Sequence, residues 1–134
     1  MFGIVICAHR NLANEFLNTV EFITGNRTQI DSVAIDYEID VDDARKRINK
    51  AIRSVNTGDG VIVCTDLFGG TPSNLCISLL DDLHIEIIAG INLPILLKAV
   101  SMRDKKQDLG QVVEVLQDHG RNNIFNARDL LSKK

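Results

Sequence analysis

No two cysteines in this chain lie at metal-ligand spacing, and the three present, Cys7, Cys64 and Cys76, are an odd number. A zinc ribbon is excluded, and no disulfide framework is available. Three such thiols read as small core residues of a protein in a reducing cytoplasm. There is no H-E-x-x-H and no G-x-S-x-G elbow, so neither a helical zinc site nor a serine hydrolase has support. No Lys follows the mid-chain glycines, which rules out a Walker A loop, and they do not spell a dinucleotide fingerprint. The most apolar region, Ile85 to Val100, is interrupted by Glu86, Asn92, Pro94 and Lys98 and is not a membrane span. Met1 to Arg10 lacks a basic leader and is too short for a signal-peptide core. The net charge of −3 gives no electrostatic case for nucleic acid. Repeats, low-complexity tracts and interdomain linkers are missing too. The 134 residues, 45% hydrophobic and 25% charged, therefore read as one soluble globular domain, 1–134.

What is present centres on Gly60 to Asn74. Val61-Ile62-Val63-Cys64-Thr65 is a short β-branched run, a buried strand. Asp66 follows at its carboxyl end, then Leu67-Phe68-Gly69-Gly70, then Thr71 as a predicted N-cap with Pro72 at the first helical position. This strand, glycine turn and helix start would aim free N–H groups of Gly70 and Thr71 at a neighbouring anion, phosphate above all. On spacing alone, the same residues read equally well as a plain turn and a capping acid.

In chain order, Phe2 to Ala8 is an apolar strand covered on both faces, ending at His9. Leu12, Phe16, Val20 and Ile23 recur at helical spacing, and Gly25 closes that helix. Ile30 to Ile35 is a less apolar strand, placed nearer an edge. Asp40, Asp42 and Asp43 open a helix whose buried stripe is Ala44, Ile48, Ala51, Ile52 and Val55. The helix from Thr71 turns Leu75, Cys76, Leu79 and Leu80 inward. His84 to Ala89 is a fourth, interior strand. Gly90 to Pro94 leads into a helix with Leu96, Leu97 and Val100 as core. Arg103 to Gln107 is a charged surface connection, and Asp108-x-x-Gln111 resembles a capping box for a helix ending near Gly120. Arg121 to Ala127 is a candidate fifth strand, and Leu130-Leu131 a final docked turn.

Alternating strands and helices imply a parallel sheet with right-handed crossovers. The expected fold is α/β: an open three-layer αβα sandwich, strand order 2-1-3-4, with a C-terminal antiparallel strand as a further candidate element. In that order strands 1 and 3 are neighbours whose connections diverge, and ligands bind at their carboxyl ends. The topology thus brings together His9 and Asp66. By itself a histidine at a strand end is more often a packed or capping residue. Paired with a carboxylate, one ring nitrogen is fixed and the other is left as a base or nucleophile. His84 and His119 are given no chemistry; an imidazole at a helix C-terminus, as for His119, has a dipole reason to be there. Arg10 reads either as a phosphoryl contact or as a solvated side chain, with the second favoured.

Asp66 to Asn74 (D-L-F-G-G-T-P-S-N), His9 and Gly90 to Leu97 together resemble the enzyme IIA component of the mannose family of the bacterial phosphoenolpyruvate-dependent sugar phosphotransferase system. The likeness extends over essentially the whole chain. Arg10 departs from it, since a smaller residue is usual there. The resemblance implies a cytoplasmic phosphotransferase relay. HPr would phosphorylate His9, and His9 would pass the group to a IIB protein, here expected as a separate chain. Membrane IIC and IID subunits would be linked indirectly. It also implies a homodimer in which a C-terminal strand, matched here by Asn123 to Ala127, crosses between subunits. In this reading His9 is the phosphorylated nucleophile through Nε2, Asp66 orients it through Nδ1, and Gly70 and Thr71 N–H groups receive phosphoryl oxygens. No metal or cofactor is expected, because a phosphohistidine donor is already activated. The rival readings are a phosphate-binding module, a phosphorylated regulator that feeds no transporter, and a structural adaptor of flavodoxin-like shape.

Overall fold

The computed structural model describes residues 1–36, 38–81 and 83–132. Four strands, β1 (Gly3–His9), β2 (Ile30–Ile35), β3 (Val61–Thr65) and β4 (Ile85–Ala89), form one sheet of order β2-β1-β3-β4. Every neighbouring pair is parallel, so the expected order is observed. The two inner strands are the continuous apolar runs, and β2, with its Asp31 and Ser32, lies at an edge as its composition suggests.

The strands are linked by α1 (Leu12–Thr24), α2 (Val41–Val55) and α3 (Thr71–Ile77), and α4 (Leu93–Met102), α5 (Leu109–Asn122) and α6 (Ala127–Ser132) follow β4. Alternation along the strands splits the core in two. Ile4, Ile6, Ala8, Ile62, Cys64 and Ile88 pack with α1, α4 and α5. Val5, Cys7, Val61, Val63 and Ile85 pack with α2 and α3 on the other face. All five residues of the expected α2 stripe are buried, and Asp40 caps that helix by accepting from the Asp43 N–H. Asn92 and Asp108 cap α4 and α5 in the same way. Gly25 closes α1 in the left-handed conformation, φ 70°.

Several expectations are corrected. α1 buries Ala13, Leu17 and Val20, one position round from the expected stripe, while Leu12 and Ile23 are exposed. Ala13, having no bulk, lets the helix approach the sheet. α4 buries Ile95, Leu96 and Ala99, leaving Leu97 and Val100 half-buried. A helix apolar nearly all round does not declare its inner face. Gly70, not Thr71, is the N-cap of α3, and Thr71 is its first residue. That helix stops at Ile77, where Leu79 N–H and Leu80 N–H bond three residues back to Cys76 O and Ile77 O. Leu80 is therefore exposed. β4 is an edge strand beginning at Ile85, and His84 precedes it, exposed.

Within one chain, residues 123–126 form no strand. Asn123 Nδ2 donates to His119 O at 2.8 Å, and Asn126 Oδ1 accepts from Asp129 N–H to start α6. These local side-chain bonds hold the segment in a turn and a helix start, in competition with a ladder. Nor are Leu130 and Leu131 docked: both are exposed, and α6 buries no residue.

Arg103, expected on the surface, is 1% exposed. Its Nη1 donates to Thr28 O at 2.7 Å and Gln29 O at 3.3 Å, tying the end of α4 to the turn before β2. Arg103→Ala should cost about 2–4 kcal/mol, because it opens a cavity and removes the two hydrogen bonds that tie α4 to the turn before β2. The exposed Lys105→Ala should stay within about 0.5 kcal/mol. Urea denaturation of the two variants checks the contrast.

Candidate functional site

The site lies at the carboxyl ends of the inner strands. β1 and β3 pair with Cys7 opposite Thr65, so His9 and Asp66 emerge side by side just past the ladder. His9 Nδ1 stands 2.7 Å from Asp66 Oδ2. The same oxygen accepts the His9 backbone N–H at 3.0 Å, and Oδ1 accepts the Leu67 N–H at 3.1 Å. A carboxylate only accepts, so Nδ1 carries the proton in the neutral ring and Nε2 keeps its lone pair.

Burial and exposure are divided between the two groups. The Asp66 side chain is 11% exposed, that of His9 42%. Burial pushes the Asp66 carboxyl up, but the His9 backbone N–H, the imidazole hydrogen bond and the imidazole's charge outweigh it, so the group sits below its ordinary value.

Gly70 faces the free side of the ring. A Cβ there would meet His9 Cε1 at 2.8 Å and Nε2 at 3.4 Å. Only glycine lets the main chain approach this closely. Among the described residues, no group accepts a hydrogen bond from the Gly70 or Thr71 N–H. All four expected site residues, His9, Asp66, Gly70 and Thr71, are thus brought to one end of the sheet. The cavities of about 540 and 590 Å³ are lined by other residues, and the ring stands at an open surface.

Two neighbours to which the sequence reading gave no role are Leu67 and Phe68. They are 49% and 76% exposed; Leu67 Cδ1 lies 3.3 Å from where a Gly70 Cβ would stand, and Phe68 lines the cavity of about 590 Å³ with Ser73, Ile77 and Ile87. The signal was available: two large apolar residues between a strand-terminal acid and a glycine turn have no core to enter. Arg10 is solvated, 82% exposed, with its Nε 3.8 Å from Asp36 Oδ1. Cys7, Cys64 and Cys76 are buried free thiols, and burial pushes Cys64 up to about 12. Among the described residues, no three His, Cys, Asp or Glu side chains gather as metal ligands, and no helix is long and apolar enough to cross a membrane.

A depressed carboxyl value links the pair to stability. The contribution is complete above the ordinary value of 3.8 and is lost as pH falls through the lower folded value. Asp66→Asn should therefore be less stable than wild type at neutral pH, and the gap should narrow as pH falls below 3.8. Urea midpoints measured across that range check the sign.

Comparison with known proteins places this geometry. Residues 3–117 match the EIIA-man model, described as the PTS system fructose IIA component. The chain is 26% identical over 123 residues to the PTS system mannose-specific EIIAB component of Escherichia coli K12, covering 91% of this chain but only 38% of that protein. It is 26% identical over 105 residues to the PTS system fructose-specific EIIA component of Bacillus subtilis 168, covering 78% of this chain and 72% of the relative. The crystal structure of the phosphotransferase system component EIIA from Streptococcus agalactiae superposes with a TM-score of 0.86 at 25% identity, covering 96% of this chain and 99% of that one. With most of its length matched by the family model, and with the same fold as a solved EIIA, this chain belongs to the EIIA-man family of PTS IIA components.

Proposed function

We propose that the chain is a phosphoryl-transfer protein of a sugar phosphotransferase system, a phosphotransferase that holds the group on His9 between a donor, HPr, and an acceptor IIB protein. The observation that carries this reading is the 2.7 Å contact between His9 Nδ1 and Asp66, which leaves Nε2 as the free nitrogen of a half-exposed ring.

In the proposed step, the Nε2 lone pair attacks the phosphorus of the donor's phosphohistidine. The new N–P bond forms as the donor's N–P bond breaks, and the donor imidazole leaves with that electron pair. Positive charge grows on the His9 ring, and Asp66 stabilises it while holding the Nδ1 proton. The N–H groups of Gly70 and Thr71 would receive phosphoryl oxygens. The second transfer, to the IIB protein, runs the same bond change in the other direction. Most of the rate comes from placing the reacting atoms and from fixed dipoles, as is general for phosphoryl transfer.

The IIB protein is proposed as a separate chain, with membrane IIC and IID subunits engaged through it and the relay located in the cytoplasm. A homodimer joined through the C-terminal segment also belongs to this reading. Ile124, Phe125, Leu130 and Leu131 are exposed there, an apolar set that a second copy would cover.

His9→Ala should accept no label from phosphoenolpyruvate in the presence of enzyme I and HPr; label retained at the wild-type level would end the proposal. Asp66→Ala should fold and still transfer, more slowly by ~10²–10⁴-fold, as for the orienting acid of a triad. Stopped-flow transfer measures that loss, and a wild-type rate would remove Asp66 from the mechanism. Gly70→Ala should also impair acceptance, since its methyl would press on the ring. An unchanged rate for that variant would show that the ring turns freely away.

A further inference from the structure

The carboxyl ends of β1 and β2 carry a feature that the His9–Asp66 pair does not use. Arg10 directly follows His9 with φ 52°, the left-handed region where a Cβ crowds the next carbonyl and glycine is at ease. Its N–H donates to Ile35 O at 2.8 Å, which extends the β1–β2 pairing one residue past His9. The side chain gains no packing from this conformation, being 82% exposed with only the loose contact to Asp36. This left-handed turn, shared only in φ with Gln29 (φ 55°) among the described non-glycine residues, sets the direction in which the Arg10 side chain leaves the end of β1.

That direction is the β2 flank. Arg10 lines a cavity of about 540 Å³ with Asp36, Glu38, Ile39 and Arg47. Arg47 comes from the exposed face of α2 and, among the described residues, forms no salt bridge. Asp66 and Gly70 hold the imidazole on the opposite flank, through β3. A phosphoryl group on Nε2 therefore faces Gly70, while the two guanidinium groups face whatever else the visiting protein presents.

We infer that Arg10, with Arg47, is a specificity-determining pair that takes a carboxylate side chain from a protein docking on His9. Asp36 releases its loose hold on Arg10 as the partner's acid arrives. Asp36 and Glu38 meanwhile repel a partner whose acids fall at other points of the pocket. The inference rests on the relay reading above. It assigns to Arg10 the recognition of the partner, with the transferred group left to the other flank.

Steady-state transfer by the full chain, with the phosphorylated donor and then the acceptor protein varied, tests it. Arg10→Glu should raise KM for at least one of the two by about tenfold or more, leave kcat within about twofold, and flatten the salt dependence for that partner. Arg10→Gly should show a rise in KM with a thermal midpoint no lower than wild type, a combination that a purely structural residue would not give. Unchanged KM for both partners would overturn the inference. So would a lower kcat at unchanged KM, which would put Arg10 on the phosphoryl group. Calorimetric binding of the unphosphorylated partners to wild type and Arg10→Glu separates the two readings. Absent label on wild-type His9 defeats the relay, whereas equal binding by both proteins defeats the arginine pair.

Discussion

The hydrogen bond between the His9 imidazole and the Asp66 carboxylate is the constraint on which the rest of the site depends. It exists because β1 and β3 are neighbours in a parallel sheet and because their register sets Cys7 against Thr65. A slip of one residue would turn every side chain of one strand to the other face, which two apolar cores forbid. The chemistry at the top of the sheet is therefore fixed by packing well below it. Asp66 is also held at its own end: three donors converge on its two oxygens. A carboxylate so occupied cannot easily let the ring turn over.

Below this pair the side chains are buried. Cys7 lies two residues back from His9, on the face of β1 that packs against α3, in the same core as Cys76. The hydrogen bond to Cys7, together with burial, raises the Cys76 pKa strongly, so the Cys76 thiol does not compete as a nucleophile near neutral pH. α3 rests on this floor through Pro72, Ser73, Leu75 and Cys76, all buried. That anchoring holds Gly70 against the ring. A seven-residue helix has a weak dipole, so its contribution here is the position of two N–H groups.

The sequence displayed the centre of this design more clearly than its margins. Strands β1 and β3 are continuous apolar runs that can only be inner strands, and the acid, glycines and proline after β3 admit few backbone paths. Alternation of elements gives a parallel sheet, and with the 2-1-3-4 order common to small sheets of this kind His9 and Asp66 meet. The face of α4 was not readable, because apolar residues surround it on nearly every side, and in α1 the small Ala13 was passed over for the bulkier Leu12. Arg103 was misplaced because a charged run looks solvated. Its burial depends on two backbone carbonyls, of Thr28 and Gln29, that no local pattern reveals. The segment after Asn122 has enough apolar residues for a strand, but its asparagines bond to the main chain first. The left-handed backbone of Arg10 left no trace in composition at all, since arginine does not announce such a turn as glycine would.

A relay imposes opposite demands on one small site. The hydrogen bond that fixes the tautomer gains from exclusion of water, because a charge-assisted bond is stronger in a low-dielectric setting. In the proposed relay the nitrogen that would carry the group must be reached by two different proteins in turn, which requires exposure. The observed division meets both demands: the acid is nearly covered, the ring nearly half open. An enclosed pocket would serve the first demand and defeat the second. The exposed Leu67 and Phe68, in the turn between Asp66 and Gly70, fit the same logic. A docking protein that covers them would exclude water from the transfer at the moment it occurs, so part of the dry environment the chemistry needs is brought by the visitor and removed with it.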